Sequence, residues 1–318
     1  MYRIYREDAP CYVVTPIPLP QALRGKKRWG EGVRPCVGKA VFCEAAMKAG
    51  VWEPDRLDLV LRKAAGGTHP TNGTMRNLRN GHGPTWITVS SIEQGRPDID
   101  AIYWGNHPIF HMLDCTEHDA RFGAVMTYAV DSVWGRVRER FWPWAHSGSE
   151  PGSGNPNIEI IQDTGVIEEA FSDPHFSEMR AQDRFVFAMA CYFIAKRNRK
   201  PKVARRAADV TRQEFMFAAM NQPQLLVSWR TLQEEVAKKI WDVEGIGGRL
   251  KPIFTVPGGI TEKCLREWFP EQVLAMAEEN EAGALSKEVR RTPVEEDVIS
   301  QGKKIWASGR KQAITPTT

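Results

Sequence analysis

The most apolar stretch of the chain, residues 185–195 (FVFAMACYFIA), runs directly into seven positive charges: Lys196, Arg197, Arg199, Lys200, Lys202, Arg205 and Arg206. They fall within eleven residues, and no acid interrupts them. An apolar run of eleven residues is a buried-helix length, well short of the ~20 that a membrane span needs. The junction therefore predicts one helix that leaves a buried core and ends at a surface calling for an acidic neighbour.

The net charge of +4 conceals this polarity. Residues 158–195 hold seven acids and two bases, immediately before the cationic run. Charge is thus concentrated locally, and a generally basic, nucleic-acid-coating protein is not implied. Two readings of the run compete. Cations suit the negative end of a helix dipole, but two or three would serve that purpose. Seven point to a docking patch for phosphates or for an acidic protein surface, and the acidic stretch just before the run could itself be that partner, within this chain or in a neighbouring copy.

Along the chain, residues 1–35 read as an extended arm. Pro16, Pro18 and Pro20 alternate in TPIPLP, which gives a polyproline-like strap without ladder hydrogen bonds. Residues 36–145 read as a mixed α/β region with a short sheet. Helices are expected over 39–49 and 55–65, the second with Leu57, Val60, Leu61 and Ala64 at helical spacing and a stop at Gly66-Gly67. A polar, glycine- and asparagine-rich loop follows over 66–85, and strands are expected at 86–92 and 99–104. Thr116 then serves as N-cap, with Asp119 at N3, for a helix carrying Phe122, Val125, Ala129, Val133 and Val137 on one face.

Residues 146–157 (HSGSEPGSGNPN) form the clearest linker, placing a domain boundary there. Residues 158–309 read as a helical domain, and 310–318 as a tail. The expected helices are 176–199, one opened by a Thr211/Glu214 capping box, and one with the stripe Leu225, Trp229, Leu232, Val236, Ile240 and Val243. Another opens at Thr261, breaks at Pro270 and closes near Gly283; Thr292-Pro293 starts a last one, stopped by Gly309. The fold class expected is α+β, predominantly α-helical: a small mixed N-terminal region, then a helical C-terminal array.

Candidate chemistry is sparse. His107, His111, Cys115 and His118 would share a face if one helix ran through them, and an i, i+4 histidine pair can bind zinc. However, Pro108 and the expected Thr116 cap break that helix, and no H-E-x-x-H is present. His69, Arg76, Arg79 and His82 in the polar loop could line an anion nest, but no phosphate-loop pattern accompanies them. The six cysteines show no C-x-x-C spacing and read as reduced, mostly buried thiols of an intracellular compartment. The first residues lack the apolar core of a signal peptide.

Eleven tryptophans, including Trp142 and Trp144 beside Phe141 and the linker, raise the prior for partner surfaces. The expectation is a non-enzymatic structural or accessory subunit of a large assembly, with no cofactor. Its contacts would be tryptophan-rich surfaces, the strap and the basic run, and its partners other protein subunits. A nucleic-acid-binding protein using 196–206, or one meeting anionic lipid head groups there, is the first alternative. A metal-dependent hydrolase centred on His107 and His111 is the second.

Overall fold

The computed structural model describes residues 19–24, 29–67, 70–137, 171, 176, 179–240 and 269–288. These residues are predominantly helical and contain no strand. After a 3₁₀ turn at Gln21–Leu23 come α1 (Arg34–Ala49), α2 (Pro54–Ala64), α3 (Thr74–Arg79), α4 (Trp86–Gly95), α5 (Ala101–Gly105) and α6 (Pro108–Leu113). Then follow α7 (Phe122–Val137), α8 (Ala181–Arg197), α9 (Pro201–Asn221), α10 (Pro223–Leu226), α11 (Trp229–Ile240) and α12 (Glu271–Glu288). No helix among the described residues is long and apolar enough to cross a membrane.

The apolar run forms the middle of α8, which is buried from Ala181 to Ala195 on every face. Such all-round burial requires neighbours on all sides. Helix α9 supplies the largest share as its antiparallel partner, and α7 and α6 cover other faces. Helix α1 plays the same role in the N-terminal half, touching α2, α3, α5, α10 and α11. Buried side chains from Leu19 to Ala277 join in one contiguous core, so residues on both sides of 146–157 pack together. The linker itself, the Phe141–Trp144 cluster, the strap up to Pro18 and the helix expected at 292–309 lie outside the described residues.

Both expected strands are helices. Segment 86–92 is rich in β-branched residues, which favours a strand locally. Instead, the Thr85 hydroxyl accepts from the Thr88 amide at 3.2 Å, an N-cap, and Val89 and Ile92 bury at i, i+3 spacing. Segment 99–104 is held helical from a distance: the Glu93 carboxylate accepts from the Ile102 amide at 2.8 Å, capping α5. Caps and burial override the weaker strand propensity.

Boundaries also move: α1 opens at Arg34, inside the expected arm, rather than at 39, and α8 opens at Ala181 rather than at 176. Helix α7 starts at Phe122 rather than near Thr116, and the Asp119 carboxylate accepts from the Arg121 amide just ahead of it at 2.8 Å. The Thr211/Glu214 pair lies inside α9, because Pro201 at N1 starts that helix and nothing breaks it before Asn221. There Thr211 donates to the Ala207 carbonyl at 2.8 Å, a bond within the helix rather than a cap. Helix α12 begins after Pro270 and continues past Gly283, while the opening expected at Thr261 lies outside the described residues.

Glu44 sits at the joint between the halves, only 1% exposed. Its carboxylate accepts from Gln224 Nε2 at 2.6 Å and from the Asp100 amide at 3.4 Å. Burial raises its pKa, only partly offset by the Gln224 bond, that amide and Lys48; the Asp100 carboxylate raises it further. The folded state therefore holds this proton more tightly than the unfolded chain does. Glu44 contributes stability that is complete in acid and is lost as pH rises through the raised value. Glu44→Gln should give a flatter stability profile than wild type between about pH 4 and pH 8 in chemical denaturation. Parallel profiles for the two proteins would contradict a buried, protonatable Glu44.

Candidate anion-docking surface

The cationic run is not one helix end; it is the corner of the α8–α9 hairpin. Lys196 and Arg197 close α8, residues 198–200 turn, and Lys202, Arg205 and Arg206 occupy the first two turns of α9. The corner is a Schellman turn, in which the Lys200 amide donates to the Ala195 carbonyl at 2.9 Å and the Arg199 amide to Lys196 at 3.1 Å. Arg199 takes the left-handed position at φ 54°, the only non-glycine residue among those described with a positive φ. Glycine normally fills that position, and an L side chain there costs about 1 kcal/mol.

The seven cations divide into two groups. Lys196 is half-buried and its Nζ lies 2.8 Å from Glu117 Oε1. The Arg197 guanidinium sits 4.6 Å from the centre of the Phe122 ring, a cation–π contact. These two pin the end of α8 to the 117–122 turn and also complement the α8 dipole. Arg199, Lys200, Lys202, Arg205 and Arg206 are exposed, and none forms an ion pair with a described acid. The nearest acid along α9, Asp209, is 3.3 Å from Arg212.

Local electrostatics oppose these five. Lys200 and Lys202 lie at the positive end of the α9 dipole, where cations are disfavoured. Arg205 and Arg206 lie three and four residues after Lys202, so Lys202 and each of them repel by about 0.2–0.5 kcal/mol per pair. The dipole explanation that accounts for Lys196 and Arg197 therefore fails for the rest. The residues between them, Val203 and Ala204, are buried against the hairpin, leaving a ridge of charge with Pro201 as its one exposed apolar residue.

The other candidates are occupied internally. His107 Nδ1 accepts from the Ile109 amide at 3.3 Å. Nε2 lies 2.6 Å from the Gln182 amide group, which also meets Tyr103 Oη at 3.3 Å. Trp104 stacks on the His107 ring at 4.9 Å. Both His107 nitrogens thus face protein groups inside the core. His111 packs in the same core against Trp29 and Tyr128, while His118 is exposed on a separate turn. Among the described residues no grouping of His, Cys, Asp and Glu is arranged to hold a metal ion.

The loop over 66–85 contains α3, and its anion is already present. The buried Asp58 carboxylate accepts from the Gly73 and Met75 amides at 2.8 and 3.0 Å. Arg76 pairs with Asp55, and Arg79 reaches Glu279 at 3.1 Å. His82 is exposed, and His69 lies outside the described residues. Cys36, Cys43, Cys115 and Cys191 are free and buried. Burial pushes the Cys36 thiol up to about 12 and raises Cys43 and Cys191 as well, which disfavours their nucleophilic thiolates.

Trp29 and Trp104 are buried, Trp52 and Trp229 are half-buried, and Trp86 is 37% exposed. Sequence reading missed the buried polar side chains Glu44, Gln182 and Gln224, whose partners lie far along the chain. It did contain the signal for the hairpin corner: Pro201 inside the basic run marks a new helix start. No known protein family matches this chain, and it has no significant match among curated proteins or solved structures.

Proposed function

We propose that this protein is a non-enzymatic accessory subunit of a larger intracellular assembly, attached to an anionic neighbour through Arg199, Lys200, Lys202, Arg205 and Arg206. The observation that carries this reading is the ridge itself: five exposed cations without described acid partners, one of them an arginine in a glycine position. These charges are kept against the helix dipole, mutual repulsion and backbone strain with no described acid to offset them, and an external partner is their most economical explanation. The engaged His107 nitrogens and the buried thiols favour a binding role over a catalytic one.

Replacing all five by alanine tests the reading, because these side chains make no described ion pair that the fold would lose. Wild-type protein should copurify from its source cells in a species heavier than one chain. The variant, with unchanged helical circular dichroism and melting temperature no lower than wild type, should leave that species. A variant that remains in it, or a wild type that elutes as a lone chain, overturns the proposal.

A further inference from the structure

We infer that the anionic neighbour is the phosphate backbone of a nucleic-acid duplex, held without reading of base sequence; this rests on the docking role proposed for the ridge. Two features separate a duplex from an acidic protein surface. Stable protein interfaces are built round a desolvated apolar or aromatic centre, with lysine depleted. Here the apolar residues of the strip, Val203, Ala204, Ala207 and Ala208, all face the hairpin interior, and no aromatic residue lies in 199–206. A partner meeting this ridge finds charge and little else.

A duplex suits such a surface, since it presents a negative charge every ~1.7 Å of its axis and is bound largely through counterion release. From Lys202 to Arg206 the helix rises about 6 Å, so several phosphates come within reach of the ridge together. Three of the five cations are arginines, whose planar guanidinium can donate two parallel hydrogen bonds to one phosphate. Single strands are disfavoured because their bases stack on aromatic side chains, and 199–206 offers none. Arg199 has a particular place in this arrangement. The left-handed turn projects it from the apex of the hairpin, ahead of the stripe formed by Lys202, Arg205 and Arg206.

The test is fluorescence anisotropy of a labelled 20-base-pair DNA duplex of arbitrary sequence with the full chain, titrated at several salt concentrations. With up to five phosphates neutralised, the log–log salt slope should be roughly −3 to −4.5, a loss of about 10²-fold or more between 50 and 200 mM salt. Arg205→Ala with Arg206→Ala should reduce that slope by about two, equally for duplexes of different sequence. Arg199→Gly should reduce it by about one while raising the melting temperature, because glycine relieves the left-handed strain. Wild-type binding that is absent at 50 mM salt, or a slope unchanged in these variants, overturns the inference. Ridge-dependent binding to phosphatidylserine vesicles or to polyglutamate, without duplex binding, also overturns it while leaving the docking role intact. If the five-alanine variant still joins the cellular assembly, the docking role falls as well.

Discussion

Glu214→Ala is expected to destabilise the fold by about 3–5 kcal/mol, read as a lowered urea midpoint with the slope unchanged. Arg184 and Glu214 are the pair that ties α8 to α9 from within: Nε lies 2.7 Å from Oε2, with the two side chains 4% and 15% exposed. The guanidinium also donates to the Met179 carbonyl, fixing the chain as it enters α8. Removing the carboxylate takes the Glu214 charge away from a buried guanidinium, so its desolvation is less well offset. Replacing both partners at once, Arg184→Met with Glu214→Leu, should recover much of the loss, since both buried charges are then removed together. A loss below about 1 kcal/mol for Glu214→Ala is what an exposed pair would give, and would show that water reaches this one.

Gly38→Ala should cost about 3 kcal/mol, by a different route. Gly38 lies on the face of α1 that meets the end of α3. A β-carbon there would stand 2.3 Å from the His82 carbonyl oxygen and 3.0 Å from that of Leu78. Both obstacles are backbone, and the turn that carries them is closed by hydrogen bonds from Gly81 to Leu78 and from His82 to Asn77, each 2.9 Å. The turn cannot yield without losing those bonds, so α1 must move away from α3. Gly123→Ala provides the contrast, because nothing lies within 4 Å of the added carbon in the first turn of α7. That variant should melt at or slightly above wild type. A Gly38→Ala protein as stable as wild type would mean that α1 and α3 are not in this contact.

Helices α1 and α2 were legible because their signals are local: apolar spacing, Pro54 at N1, and glycines after the last turn. The burial of α8 was legible from the length of its apolar run. Segments 86–92 and 99–104 were not. Their side chains suit either state, and the deciding groups were a hydroxyl cap at Thr85 and the Glu93 carboxylate folded back from α4. The histidines misled for a related reason. Spacing places His107 and His111 one turn apart, but only the fold brings Gln182, Tyr103 and Trp104 round the first of them. The docking surface was half visible. Its position could be read directly, whereas its division into two anchored and five outward cations depends on Glu117 and Phe122, which lie far earlier in the chain.

Periodicity, apolar run length and charge density are properties of neighbouring residues, so the sequence alone determined that this chain is mainly helical, that 185–195 is buried and that 196–206 is crowded with positive charge. Which cations remain available, what the histidines hold and whether 86–104 is sheet or helix were decided only by tertiary structure. Each of those outcomes turns on a hydrogen bond, ion pair or ring contact between groups that the chain order keeps apart.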